Sequence, residues 1–160
     1  MKIKVFFVQL FLLAIHLNLF SQTQIYFGYP IGNHVIKDGD KIILNPLPIN
    51  PQGTFDTTIN MYIDQLKEFC LYNTDYQVNI YIHDYQPDSN YCLTSSIYKR
   101  KKLVDYFMTA DSTFYLSNVL SIIPVGKREP LISTKPENMS FITYNYINSR
   151  IEIEFVLRKG

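Results

Sequence analysis

The chain has 160 residues, 47% of them apolar, and 15 Lys+Arg stand against 14 Asp+Glu. That balance excludes a disordered tail, a collagen-like repeat and a polybasic nucleic-acid arm, and the length is that of one domain able to bury its own core. Six Gly are too few for a Gly-rich phosphate loop or a propeller, whereas 13 Tyr and 11 Phe supply strands well.

Lys2 and Lys4 precede an uncharged apolar run from Val5 to Ile15, and the stretch closes at Ser21. A basic start, an apolar middle and a small residue at the end predict a signal peptide over residues 1–21. The apolar run of about a dozen residues is short of the roughly 20 that a spanning helix needs. No Cys follows it for lipid attachment, and no later run is long enough to span, so the expected mature protein is exported and without a membrane segment. Cleavage removes two Lys and no acid, which leaves the mature chain close to neutral and confines any recognition of charge to local features. Cys70 and Cys92 either pair in one disulfide or stay as two buried thiols; at this separation they form no metal signature.

Residues 22–38 read as an N-terminal extension or leader strand that carries the aromatic run Tyr26-Phe27-Gly28-Tyr29. Gly39–Leu44 is expected to be a strand, stopped by Pro46 and Pro48. Phe55, Ile59, Ile63, Leu66, Phe69 and Cys70 recur at three and four and predict an amphipathic helix, with Thr54 or Asp56 placed to cap it. Tyr76–Ile82 alternates, with Val78, Ile80 and Ile82 on one face and Gln77, Asn79 and Tyr81 on the other, and predicts a half-buried strand. A polar loop follows over 83–91, then a second helix with a stripe of Ile97, Leu103, Val104, Phe107 and Met108. Val119–Val125 and Arg150–Leu157 are strands, the last with Glu152 and Glu154 on one face; Gly126–Ser149 between them reads as a structureless surface connection. The order is β-α-β-α-β-β, an α+β fold with a mixed sheet and helices packed on one face.

Two clusters could carry chemistry. His83 and Asp84 end the strand, but neighbours on a strand point to opposite faces, so they form no orienting pair, and His83 reads as a partly exposed strand-end histidine. An exported hydrolase would need a reactive Ser or Cys beside His83, which no spacing supplies. Lys99-Arg100-Lys101-Lys102 turns through about 300° on a helix and cannot make one basic face; at least one of the four must lean toward the apolar stripe. A solvated helix end is the plain reading, and capture of a carboxylate by Lys99 or Arg100, with Asp84 holding an amine, is the functional one. Nucleic acid is excluded, since one turn of charge makes no phosphate track. Asn138-Met139-Ser140 matches a glycosylation acceptor, read as chance.

The segment from His83-Asp84-Tyr85-Gln86-Pro87 through Ser96-Ile97-Tyr98-Lys99-Arg100 to Leu103-Val104-Asp105-Tyr106-Phe107 resembles the peptidoglycan-binding segment of the OmpA C-terminal domain family. That motif reads roughly Thr-Asp-x-x-Gly, then Asn-x-x-Leu-Ser-x-x-Arg-Ala, then an apolar helix. Gly126–Leu131 is similar to the family's Gly-x-x-x-Pro turn, and Asn148–Ile153 to its closing Asn-Arg-Arg-Val-Glu-Ile strand. The likeness spans residues 39–157 and implies an OmpA-like domain over 39–160. It also implies a non-catalytic site in which Asp84 holds the amine of a diaminopimelate side chain. The carboxylate partner falls on Lys99 by ungapped counting, or on Arg100 with one extra loop residue. The sequence departs from the motif at His83, Pro87 and Cys92, which stand for Thr, Gly and Asn, and a Lys for the Arg keeps the charge without the bidentate fork. The implied partners are peptidoglycan peptide and, in a form that has lost the ligand pair and serves as a scaffold, an envelope protein; no cofactor or metal is implied. The expected location is the periplasm, in association with the outer membrane.

Overall fold

The computed structural model describes residues 23–30, 35–47, 49 and 54–159. The expected signal peptide lies outside them. Among the described residues no helix is long and apolar enough to cross a membrane.

Five strands form one sheet: β1 (Ile25–Phe27), β2 (Lys41–Leu44), β3 (Tyr76–His83), β4 (Val119–Gly126) and β5 (Arg150–Leu157), in the order β1-β2-β5-β3-β4. β5 runs antiparallel between β2 and β3, and β1 and β4 add in parallel on the two edges. The leader is thus a strand of the sheet, with Ile25 opposite Lys41 and Phe27 opposite Ile43.

The register puts Ile42, Val78, Ile80, Ile82, Ile122, Ile151, Ile153 and Phe155 on one face, where all are buried. This is the expected alternation of β3 carried across four strands. Against that face pack α1 (Thr58–Tyr72) through Ile59, Ile63, Leu66 and Cys70, and α2 (Ser89–Ala110) through Leu103 and Phe107. α1 begins where Asp56 Oδ1 accepts the Thr58 N–H, so Asp56 takes the capping bond and the Thr57 side chain takes none. The opposite face, free of these helices, is polar: Asn79 and Tyr81 both donate to Glu154 Oε2, and Ser121 donates to Asn79. Glu152 and Glu154 share that face, as expected.

Four sequence expectations need correction. Gly126–Ser149 is not structureless: Phe141–Asn148 is a helix, α4, whose N-cap Ser140 accepts the Thr143 N–H. The buried line of α2 is Cys92, Ser96, Leu103 and Phe107, while Ile97 and Met108 are exposed; α2 begins at Ser89 rather than after the loop, because the Asp88 carboxylate accepts the N–H groups of Asn90 and Tyr91. A short helix, α3 (Ser112–Asn118), precedes β4 and stacks Tyr115 on Phe107. His83 is buried, not partly exposed. The cysteines take the second of the two forms left open: both are free and buried.

Candidate functional site

The site grows from the point where β3 stops. Its last pair joins His83 to Gly126 of β4, and the Asp84 N–H then donates to the Gly126 carbonyl at 3.1 Å. Two further staples hold the next two residues. The Tyr85 N–H donates to Ser149 Oγ at 2.8 Å, and the Gln86 N–H donates to Cys92 Sγ at 3.0 Å while the thiol returns a bond to the Gln86 carbonyl at 3.3 Å. Cys92, on the buried face of the first turn of α2, therefore ties the loop to the helix with its thiol as both acceptor and donor. Asp84 follows directly on the strand with its carboxylate reaching α2.

There it meets Lys99, whose Nζ stands 2.7 Å from Asp84 Oδ2. Cys92, Ser96, Lys99, Leu103 and Phe107 are spaced four, three, four and four, so Lys99 occupies a position on the inward face of α2 among apolar and small neighbours. This is the residue of the basic run that leans inward. Arg100, one position around the helix, is exposed and does not line the cavity at Asp84. The pair is nearly closed to solvent on the acid's side: Asp84 is 3% exposed, and the Lys99 ammonium faces its Oδ2 as charge against charge. An ionised carboxylate has about four acceptor positions over its two oxygens, so one lysine leaves capacity for a further ammonium or amide donor.

The pair lines a cavity of about 330 Å³ whose other walls are Pro46, Gln86, Ile142, Asn145, Tyr146 and Ser149. Three of these come from α4, the segment the sequence left as loop. α4 is held in place by Asn148, fully buried, whose Oδ1 accepts the Ile132 N–H and whose Nδ2 donates to the Ile132 carbonyl. Tyr144 holds it at a second point, through a hydroxyl contact with Tyr85 and an edge-on ring. The signal for α4 was present in Ser140 ahead of Tyr144 and Asn148 at a spacing of four.

His83 faces the other side of the sheet. Its Nδ1 lies 3.3 Å from the Arg128 carbonyl, which only accepts, so that nitrogen carries the hydrogen; Nε2 lies 3.5 Å from Glu152 Oε2. Burial first and the Arg150 guanidinium second push the His83 pKa down to about 4, against the opposing pull of Glu152. Burial alone would raise Glu152, but Lys41 at 2.7 Å and Arg150 at 3.0 Å outweigh it and hold the carboxyl below its usual range. Among the described residues the partners of His83 are a carbonyl and a carboxylate, with no Ser or Cys, which is not the arrangement of a base for a nucleophile.

No protein-family model matches the sequence, and no curated protein matches it. Solved structures do match the fold. A MotB-like protein from Desulfovibrio vulgaris is 17% identical with a TM-score of 0.50, over 70% of this chain and 71% of that one. The OmpA-like domain of FopA1 from Francisella tularensis is 13% identical with a TM-score of 0.52, over 87% of this chain and 92% of that one. Identities this low carry the architecture and not the chemistry of a site. The mixed sheet with a β2-α1-β3-α2-β4 run and β5 inserted between β2 and β3 is an OmpA-like domain fold.

Proposed function

We propose that this chain is an exported protein of the cell envelope, periplasmic and associated with the outer membrane, that holds the peptide of peptidoglycan non-covalently and catalyses nothing. The observation that carries the reading is the buried Asp84–Lys99 pair, Nζ to Oδ2 2.7 Å, at the wall of an open cavity. A diaminopimelate side chain ends in an ammonium and a carboxylate on one carbon. Entering the cavity, it exchanges one internal ion pair for two: its ammonium donates to Asp84 and its carboxylate accepts from Lys99. Charge-assisted contacts of this kind contribute about 1.5–3 kcal/mol each, and both are needed because the internal pair must be separated. The shared fold supports the reading, as does the 2.7 Å contact between Asp84 and Lys99, the two residues that the resemblance matches to the partners of the ligand's amine and carboxylate.

The test is retention of the purified chain on insoluble peptidoglycan. The parent is expected to co-sediment, Arg100→Ala to behave like the parent, and the uncharged Asp84→Asn/Lys99→Met variant to stay in solution. A folded parent that stays in solution removes the wall-binding reading and leaves a scaffold module. An Arg100→Ala variant that loses binding transfers the carboxylate role to Arg100.

A further inference from the structure

The cavity at Asp84 does not end at α4. Tyr146 and Ser149 are also walls of a larger groove of about 560 Å³, bounded by the ends of β1 and β2, by α1 and by α4. Its character is different from that of the charged cavity. Phe27, 80% exposed, and Tyr146, 58% exposed, present aromatic surface to it together with Tyr62. The side-chain amides of Asn45 and Gln65 line it and make no hydrogen bond among the described residues. Among the described residues on its wall the one that carries charge, Arg150, is 4% exposed and already neutralised. Its NH2 donates to Glu152 and to the Glu129 carbonyl and its NH1 to the Asn148 carbonyl, while its Nε has no hydrogen-bond partner among the described residues.

Resting on the reading of the charged cavity given above, we propose that this groove is a second subsite that takes an N-acetylated sugar ring of the same polymer's glycan strand. Aromatic side chains with flat apolar faces cover the C–H faces of a pyranose, and free amides and a buried N–H match its hydroxyl and acetamido groups. A groove with no free charge among its described walls suits a neutral occupant, whereas the adjoining cavity, with its ion pair, suits a zwitterionic one. A polymer with a neutral sugar backbone and charged peptide branches has both parts within one ligand, and a volume of this size is that of a small-molecule site.

The test uses three probes on the purified chain: the stem tripeptide ending in diaminopimelate, the same tripeptide attached to its disaccharide, and N,N′-diacetylchitobiose. Calorimetry is expected to show the disaccharide tripeptide binding at least tenfold more tightly than the tripeptide. Phe27→Ala and Gln65→Ala, both on the groove and away from Asp84, should lower that ratio and leave tripeptide affinity unchanged. Diacetylchitobiose is expected to shift backbone amide signals of Phe27, Asn45 and Tyr146, in the parent and in Asp84→Asn alike. Equal affinities for the two peptide probes, with no groove shifts from the sugar, overturn the proposal while leaving the charged cavity standing. Sugar-induced groove shifts without tripeptide binding do the reverse, keeping the groove and removing the reading of the charged cavity. Groove shifts that depend on protein concentration alone assign the surface to a second copy of the chain and also overturn the proposal.

Discussion

Gly126 joins the sheet to the site, and replacing it by Ala tests whether the approach of α2 to β4 is as close as the structure has it. The residue has φ +67°, and a Cβ there would lie 3.1 Å from both the Cα and the N of Leu93 and 3.4 Å from the Cys92 carbonyl carbon. These are backbone atoms of α2 that cannot rotate away. Gly28 is the internal control: its φ is +84°, but a Cβ there meets nothing within 4 Å among the described residues. Both substitutions force an L-residue into left-handed backbone, at about 1–2 kcal/mol, and both gain back about 0.4–1 kcal/mol by restricting the unfolded chain. Only Gly126→Ala adds the overpacking term of about 1–3 kcal/mol. The expected losses are therefore about 2–4 kcal/mol for Gly126→Ala and about 1 kcal/mol for Gly28→Ala. In urea unfolding with an m-value of about 2 kcal/mol/M, the midpoints should fall by about 1–2 M and about 0.5 M. Equal losses at the two positions would refute the reasoning, because they would leave only the backbone term and no close packing of α2 on the strand that anchors Asp84.

Protonation of His83 gives a second expectation. Its folded pKa of about 4 lies below the unfolded value near 6.5, so the unfolded chain takes up a proton that the folded chain refuses, and stability that is complete above about pH 6.5 declines as pH falls toward 4. The loss from this group between pH 7 and pH 5 is about 2 kcal/mol, and subtracting the urea curves of His83→Gln from those of the parent isolates it; identical pH slopes would contradict the burial of a neutral ring. At the ion pair, Lys99→Met alone strands the Asp84 carboxylate and should cost about 3 kcal/mol, at the low end for a buried pair because the Lys99 side chain keeps 17% exposure. Asp84→Asn/Lys99→Met should recover to within about 1 kcal/mol of the parent by thermal melting, and a double variant as unstable as the single one would show that the pair is held for stability rather than for a ligand.

Local patterning made most of the sheet and α1 legible, because in Val78, Ile80 and Ile82 and in Ile59, Ile63 and Leu66 the hydrophobic period and the buried face coincide. The reading failed where burial is polar. α4 buries Tyr144 and Asn148, and Asn148 satisfies the backbone of Ile132, so a hydrophobicity pattern is blind to it although Ser140 marks its start. His83 is covered through Arg150 and Glu152, which lie some 70 residues later in the chain, and no local signal reports such a contact. In α2 the expected stripe holds at Leu103 and Phe107 and fails at the exposed Ile97 and Met108, whereas Cys92, Ser96, Leu103 and Phe107 form a line at helical spacing that passes through Lys99. That line distinguishes Lys99 from Arg100 without structural knowledge. The cavity walls Ile142, Asn145, Tyr146 and Ser149 depend on α4, whose polar burial leaves no apolar period to announce them.

The most direct test of the central account compares two stem tripeptides that differ only at the third residue, one with meso-diaminopimelate and one with lysine. The two share the side-chain ammonium for Asp84, and only the first brings a carboxylate to Lys99. The account predicts that calorimetry on the parent chain gives the diaminopimelate peptide at least a tenfold advantage, the fold-change of a charge-assisted contact of about 1.5–3 kcal/mol, and that Asp84→Asn/Lys99→Met binds neither. Equal affinities for the two peptides, or binding that survives in the double variant, would contradict the assignment of the buried pair as the ligand's anchor.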